Sequence, residues 1–167
     1  MAIVSYGLKI TEAYHIFDKT IKTYRNAVHY ISDITMRHYD ELKSLESITG
    51  NDGKVIVSAQ QRRQQKMERL IHSTANNDAT YKRFDKEFYK FPSYLRRDAI
   101  NTAVGLILSY RSQLQKWEDN GKHGRRPYLN RNQSTMPCFY RNNTFLDSEE
   151  TNIVLSLIHI SEPTRRT

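Results

Sequence analysis

The sequence predicts an α+β chain that is mainly α-helical, and two observations lead to this prediction. The first is a long stripe of apolar residues between Phe91 and Glu118, which recur at steps of three and four as one face of an α-helix requires. Its members are Leu95, Ala99, Ala103, Leu106, Ile107, Tyr110, Leu114 and Trp117. The second is a set of short alternating segments near both ends of the chain, which is typical of β-strands. We therefore expect a helical lobe inserted into a small sheet.

The helix within 91–118 is predicted to be the centre of the lobe. Pro92 suits its first turn, where a missing N–H is no loss, and Asn120-Gly121 supplies the stop. Gly105 lies at its middle and costs about 1 kcal/mol relative to alanine. Because glycine often allows a neighbouring element to approach closely, we expect another element to pack there.

The first half of the chain predicts one strand and a long helix. Residues 2–10 alternate with period two and predict the strand. Thr11 can cap a helix that the apolar spacing extends to about Ser47. The segment 49–53 is predicted to be a loop because of its turn-forming residues.

Two shorter helices are predicted before the central one. Residues 58–73 predict a helix with a thin apolar face of Met67, Leu70 and Ile71, and with a polar first half that faces solvent. Residues 80–89 predict a second helix, whose aromatic side chains have helical spacing.

The chain changes character after Trp117. Residues 121–127, GKHGRRP, form a basic glycine hinge, and short extended segments separated by turns follow it. The simplest topology pairs these segments with the strand at 2–10. We therefore expect a partial β domain of residues 1–10 plus 125–154, and a helical lobe of residues 11–124.

The charge of the chain favours a polyanionic partner. Lys and Arg outnumber Asp and Glu by 26 to 18, which gives a net charge of +8 and a pI near 9.6. Because Cys138 is the single cysteine, neither an internal disulfide nor a cysteine-rich zinc site is expected. No signal sequence and no long apolar run is recognised, so we expect a cytoplasmic chain without a membrane partner. The sequence also has no nucleophile–base pair, no phosphate-cradling glycine loop and no metal-ligand spacing, so nothing supports catalysis by these residues.

The last segment, 155–167, has a different character. Its sequence LSLIHISEPTRRT resembles the conceptual translation of a transposase-based sequencing-library adapter. We therefore expect a natural reading frame that was cut near Val154. Without the two basic residues and one acidic residue of this segment, the count is 24 − 17, or +7.

Three segments resemble the N-terminal part of the TnpB (OrfB) proteins of bacterial insertion sequences: FPSYLRRDAINTAVG at 91–105, the hinge at 121–127, and STMPCFYR at 134–141. Proteins of this family are labelled transposases and are RNA-guided DNA nucleases related to type V CRISPR effectors. The resemblance covers roughly residues 91–145. It implies a wedge-like split β-barrel around a helical recognition lobe, with guide RNA and target DNA as partners.

The resemblance also implies an RNase H-like nuclease domain with magnesium-binding carboxylates, and a four-cysteine zinc element. This sequence contains the motifs of neither, so no cofactor is expected in this piece. We expect it to bind nucleic acid without cutting, as part of a parent that is a metal-dependent DNA endonuclease. The oligomeric state stays open.

The residues predicted to contact nucleic acid are basic side chains and one aromatic side chain. They are Arg96, Arg97, Lys122, Arg125, Arg126, Tyr128 and Arg131. Arginine suits phosphate because its planar fork forms bidentate, charge-assisted hydrogen bonds, and Tyr128 can stack on an unpaired base. For Arg96 and Arg97 the alternative is a solvated helix face paired with Asp98 or Glu87. For the whole chain the alternative is a basic helical protein–protein interaction module without nucleic-acid function.

Overall fold

The computed structural model describes residues 18–130 and 135–138, together with the backbone of two short strands at 145–146 and 155–156. The elements in chain order are α1 (Asp18–Arg37), α2 (Tyr39–Lys43), β1 (Ile48–Thr49), β2 (Val55–Val57), α3 (Ala59–Ile71), α4 (Arg83–Glu87), α5 (Ser93–Asp119), β3 (Phe145–Leu146) and β4 (Leu155–Ser156). Both strand pairs, β1 with β2 and β3 with β4, are antiparallel. The prediction of a mainly α-helical α+β chain is confirmed, and the described strands close no barrel. The strand predicted at 2–10 lies outside the described residues.

The centre of the molecule is the packing of α5 against α1. The predicted central helix is confirmed: Pro92 precedes its first residue as the N-cap, and Asn120 follows its last. Apolar side chains of both helices are withdrawn from water, which is the main source of stability in such a pair. Those with the lowest exposure are Tyr24, Ala27, Ile31, Leu95, Ala99, Ile100, Ala103 and Ile107.

The long first helix is not continuous, and the prediction that it extends to Ser47 was wrong. α1 ends at Arg37, and His38 leaves helical geometry with φ −103° and ψ 19° before α2 begins. The His38 ring is held on both sides: Nε2 lies 3.0 Å from the Tyr81 hydroxyl and Nδ1 lies 3.1 Å from Glu41 Oε2. Because Tyr81 lies far along the chain, this break depends on a tertiary contact that local periodicity does not contain.

A β-hairpin replaces part of the loop predicted around 49–53. β1 and β2 pair across a turn in which Gly53 adopts φ +73°, a conformation that glycine adopts without strain. Three of its side chains are unusually exposed for apolar residues: Ile48 at 45%, Val55 at 59% and Ile56 at 67%.

The helix predicted at 58–73 is confirmed as α3. Ser58 forms a capping box with Gln61, in which the Ser58 hydroxyl accepts from the Gln61 backbone N–H. The expectation that the polar first half only faces solvent was wrong. Arg63 donates to the backbone oxygens of Leu42 and Leu45, at the end of α2 and just beyond it.

α4 is shorter than the helix predicted at 80–89. Its five residues carry Phe84, which packs with Phe88 and Phe91 and with Tyr30 of α1. The Phe84 and Phe88 ring centroids lie 4.8 Å apart. This aromatic cluster fills the space between α1 and the start of α5, so side-chain packing holds the segment although little of it is helical.

Gly105 faces open space, and the prediction that another element packs closely against it was wrong. A Cβ added at this position would meet no atom within 4 Å.

Along the described helices, none has the length and low polarity that crossing a bilayer requires.

Candidate nucleic-acid interface

The basic hinge continues from α5 and is hydrogen-bonded to its last turn. The Gly121 N–H donates to the Glu118 oxygen at 3.0 Å, and the Lys122 N–H donates to the Trp117 oxygen at 2.9 Å. Together these bonds form a Schellman motif, in which Gly121 takes the left-handed conformation at φ +68°. Lys122 is left-handed as well, at φ +62°. The indole Nε1 of Trp117 then donates to the Gly124 oxygen at 3.3 Å, so the loop is tied back onto the helix that it leaves.

Two guanidinium groups of this loop lie over aromatic rings. The Arg125 Cζ lies 5.4 Å from the centroid of the Tyr128 ring, and the Arg126 Cζ lies 5.9 Å from the centroid of the Trp117 ring. Both distances are within the range of a cation–π interaction. We call Trp117, Lys122, Arg125, Arg126 and Tyr128 the loop cluster.

The cations of the loop cluster are directed into solvent. Lys122, Arg125 and Arg126 are all exposed, and Tyr128 is 65% exposed. Across residues 18–130 and 135–138, these three cations form no ion pair with a carboxylate. The structure therefore brings four of the predicted contact residues together on one exposed loop.

Arg96 and Arg97 lie elsewhere, near the start of α5. The Arg96 side chain is only 10% exposed, and its NH2 nitrogen lies 3.1 Å from Glu68 Oε1. The Arg97 side chain is 58% exposed, and its Nε lies 3.5 Å from Glu68 Oε2. Both arginines therefore pair with Glu68 of α3. Arg96 was expected to project into solvent, and it does not. Arg131 lies outside the described residues.

A second attachment secures the chain beyond the loop. The segment 135–138, which we call the docked segment, contacts both central helices. Arg25 Nε donates to the Thr135 oxygen at 3.0 Å, and the Cys138 N–H donates to Asp98 Oδ2 at 3.1 Å. The same carboxylate oxygen accepts from the Tyr24 hydroxyl at 2.7 Å. Asp98 is therefore the point at which α1, α5 and the docked segment meet.

These contacts determine the path of the chain after α5. With a rise of roughly 1.5 Å per residue, α5 carries the chain about 31 Å from Asp98 to Asp119. Because Cys138 lies next to Asp98, the chain returns over that length between Asp119 and Cys138. The loop cluster stands at the turning point, so its side chains are held at one end of the helix pair.

Burial and hydrogen bonding change the proton affinity at the Asp98 junction. Burial raises the pKa of the Tyr24 hydroxyl far above its ordinary value, and the adjacent Asp98 raises it further. Partial burial of the sulfur, followed by the charge of Asp98, raises the pKa of the Cys138 thiol. Both groups are therefore neutral near pH 7. The junction is a structural hydrogen-bond network rather than a source of a nucleophile.

Within residues 18–130 and 135–138, the side chains do not fit a metal centre. In the part of the chain that the structure describes, no three His, Cys, Asp or Glu side chains come together. A four-cysteine zinc element needs four thiolates, and the sequence has a single cysteine.

A shallow polar cavity lies beside the end of α5. Its volume is about 150 Å³, and its lining includes Tyr39, Lys43, Arg111 and Glu118. The Arg111 guanidinium carbon lies 4.6 Å from the Tyr39 ring centroid. Because acidic as well as basic side chains line it, the cavity has no strong preference for an anion.

Sequence reasoning missed the anchors of the docked segment. Tyr24 and Arg25 of α1 are not among the residues that the sequence predicts to form a contact with a distant segment. Asp98 lies within 91–105, one of the segments on which the expected resemblance to TnpB proteins rests. Its partner Cys138 lies in the other resembling segment, 40 residues away, so only the fold reveals the contact.

The chain belongs to the Aq_aa04 family, whose model matches residues 3–159. The matched range and strand β4 both extend into the segment 155–167. No curated protein and no solved structure matches the chain.

Proposed function

We propose that this chain binds nucleic acid through the loop cluster, as the guide RNA- and target DNA-binding portion of a transposon-encoded, RNA-guided endonuclease. One observation carries the proposal: three exposed cations without acidic partners among the described residues lie on one loop after a helix stop, and two of them lie over aromatic rings. A phosphate backbone is the polyanion that such a group suits, because each contact releases counterions. Cutting would belong to a nuclease domain and its Mg²⁺ and Zn²⁺ ions, to which no residue of this chain is assigned.

The contact between the two resembling segments supports this reading. The segments 91–105 and 134–141 were singled out by their sequences alone, and Asp98 of one accepts a hydrogen bond from Cys138 of the other. In the proposed arrangement, α1–α5 form the recognition lobe, and the chain beyond the loop enters a split β-barrel that the strands described here do not close. The loop cluster then lies where lobe and barrel join.

A salt titration with a matched control tests the proposal. Binding of the full chain to a fluorescently labelled structured RNA is measured by anisotropy at increasing salt. We expect the logarithm of affinity to fall linearly with the logarithm of salt concentration. In the double variant Arg125→Ser with Arg126→Ser, the slope should be shallower by roughly 1.4 to 1.8, because two phosphate contacts are lost.

The control variant removes the same charge elsewhere. Lys22→Ser with Lys86→Ser changes exposed lysines of α1 and α4 and lowers the net charge equally. We expect its slope to stay close to that of the wild type. A flat slope for the wild type, or an equal loss in both variants, contradicts binding through the loop cluster.

The second candidate function is a protein-interaction module, and the exposed hairpin favours it. Ile48, Val55 and Ile56 leave apolar surface in water on a two-stranded element, and such surface often marks a contact with another protein. Weak, salt-insensitive RNA binding by the wild type would favour this candidate.

A further inference from the structure

We infer that the loop cluster recognises unpaired nucleotides, with Tyr128 as the stacking surface and the half-buried Trp117 beside it, so that its ligand is single-stranded nucleic acid rather than duplex. The inference rests on the proposed function and narrows the ligand class of the same site. Its basis is the pairing of each aromatic ring with an arginine on a loop whose backbone is already ordered.

The aromatic rings require an unpaired base. In a duplex the faces of each base are covered by its neighbours, and only edges and phosphates are presented to a protein. Tyr128 is 65% exposed, so a flat surface is available for stacking, which contributes about 1–3 kcal/mol per base in single-strand binding proteins. Since an isolated exposed aromatic is common, exposure alone would not support the inference.

The arginines make the rings suitable for a charged strand. A guanidinium that lies over a ring still presents its N–H groups around the edge, where a phosphate oxygen can accept them. Arg125 over the exposed Tyr128 ring therefore combines a stacking face with a phosphate donor, and Arg126 over the half-buried Trp117 ring adds a second donor. A single strand presents unpaired bases and phosphates in alternation, so a ring beside a guanidinium can contact a base and the neighbouring phosphate together.

The backbone holds these pairs in place before binding. Gly121 and Lys122 are both left-handed, and the indole of Trp117 donates to the Gly124 oxygen. Positive φ is uncommon for a residue other than glycine. Binding therefore requires little further ordering of the loop, which favours affinity.

The test compares strands with equal charge and different bases. Anisotropy is measured for the full chain with oligouridylate, with oligothymidylate of equal length, with an abasic strand of the same phosphate count, and with an RNA duplex. We expect oligouridylate or oligothymidylate to bind about tenfold or more tightly than the abasic strand. The comparison of the first two strands shows whether RNA or DNA is preferred.

Variants assign the difference to Tyr128. Tyr128→Ala should lower affinity for the base-containing strand about tenfold and leave affinity for the abasic strand unchanged, whereas Tyr128→Phe should retain binding. The matched control is Tyr89→Ala, since Tyr89 is 54% exposed and has the Lys90 Nζ 5.4 Å from its ring centroid. This control should bind like the wild type.

The single tryptophan gives an independent readout. Because Trp117 is the only tryptophan in the chain, quenching of its emission by base-containing strands, and not by the abasic strand, reports stacking at this loop. Equal affinity for abasic and base-containing strands, or equal losses in Tyr128→Ala and Tyr89→Ala, overturns the inference while salt-dependent binding stands. Absence of binding to every strand, the duplex included, overturns the proposed function together with it.

Discussion

Asp98 is the residue on which the path of the chain depends. Its Oδ2 atom accepts from the Tyr24 hydroxyl and from the Cys138 N–H. Hydrogen bonds to a charged acceptor are stronger than those between neutral groups, contributing about 1.5–3 kcal/mol each. We therefore expect a substitution at Asp98 to loosen the docked segment at Cys138 more than it disturbs the packing of the helices.

Thiol labelling of Asp98→Asn tests this dependence. Partial burial and then the nearby Asp98 carboxylate raise the pKa of the Cys138 thiol, so the reactive thiolate is scarce near neutral pH. Removing the charge lowers that pKa and weakens the docked segment, and both effects speed alkylation. The measurement is the rate of iodoacetamide labelling of the only cysteine.

Asp40→Asn is the control for this experiment, since Asp40 lies in α2 beside the other end of α5. Its labelling rate should equal that of the wild type. An unchanged rate in Asp98→Asn would show that the carboxylate does not govern the thiol.

At the scale of the element, two glycines, one inside α5 and one just after its end, have opposite requirements. Gly105 lies in the exposed middle of the helix, where an added Cβ meets nothing within 4 Å. Gly121 follows the helix in the left-handed region at φ +68°. At position 105 the structure does not require glycine, whereas at position 121 the positive φ favours it.

Alanine at each position tests this contrast. Gly105→Ala should raise the free energy of unfolding by about 1 kcal/mol, because alanine has the higher helix propensity. Gly121→Ala should lower it by about 1 kcal/mol or more, because a Cβ is strained at positive φ. Urea denaturation followed by circular dichroism measures both. A loss of stability in Gly105→Ala would mean that the helix face is covered.

The same elements show what sequence reasoning can recover. α5 was predictable because its stripe is long and its stop signals are local. The end of α1 was not, because His38 is held by Tyr81 from a distant segment. The hairpin was missed because its strands are only two and three residues long, too short for period-two alternation to be recognised.

The candidate site divides in the same way. Lys122, Arg125, Arg126 and Tyr128 lie within seven positions along the chain, so their proximity followed from the sequence. The burial of Arg96 did not, because its partner Glu68 lies 28 residues away on α3. When two arginines are adjacent in a helical sequence, as Arg96 and Arg97 are, the sequence alone does not show which side chain is buried.

At the scale of the whole molecule, the packing of α1 on α5 makes stability depend on a buried hydroxyl. Tyr24 is 0% exposed, and burial raises its pKa above the value of about 10 expected in the unfolded chain. A raised pKa means that the folded state holds the proton more tightly. Its stabilising contribution is therefore complete below about pH 10 and is lost as pH rises above that value.

Tyr24→Phe tests this linkage. Near neutral pH the variant should be less stable by about 1–3 kcal/mol, because Asp98 loses a donor. Its stability should then fall less steeply than that of the wild type between about pH 9 and pH 11. Urea denaturation across this range is the measurement. Tyr128→Phe, which changes an exposed hydroxyl, should follow the wild-type curve, and an identical alkaline slope in Tyr24→Phe would contradict the linkage.

The helix stop at Gly121 and Lys122 has a thermodynamic consequence for association. Because the loop acquires its shape when the chain folds, the entropy lost in shaping it belongs to folding and not to complex formation. Calorimetry should then register a small heat-capacity change on binding, set by the few ring faces that leave water. A partner would meet a prepared surface, and the rate of encounter would depend on diffusion and charge rather than on rearrangement of the protein.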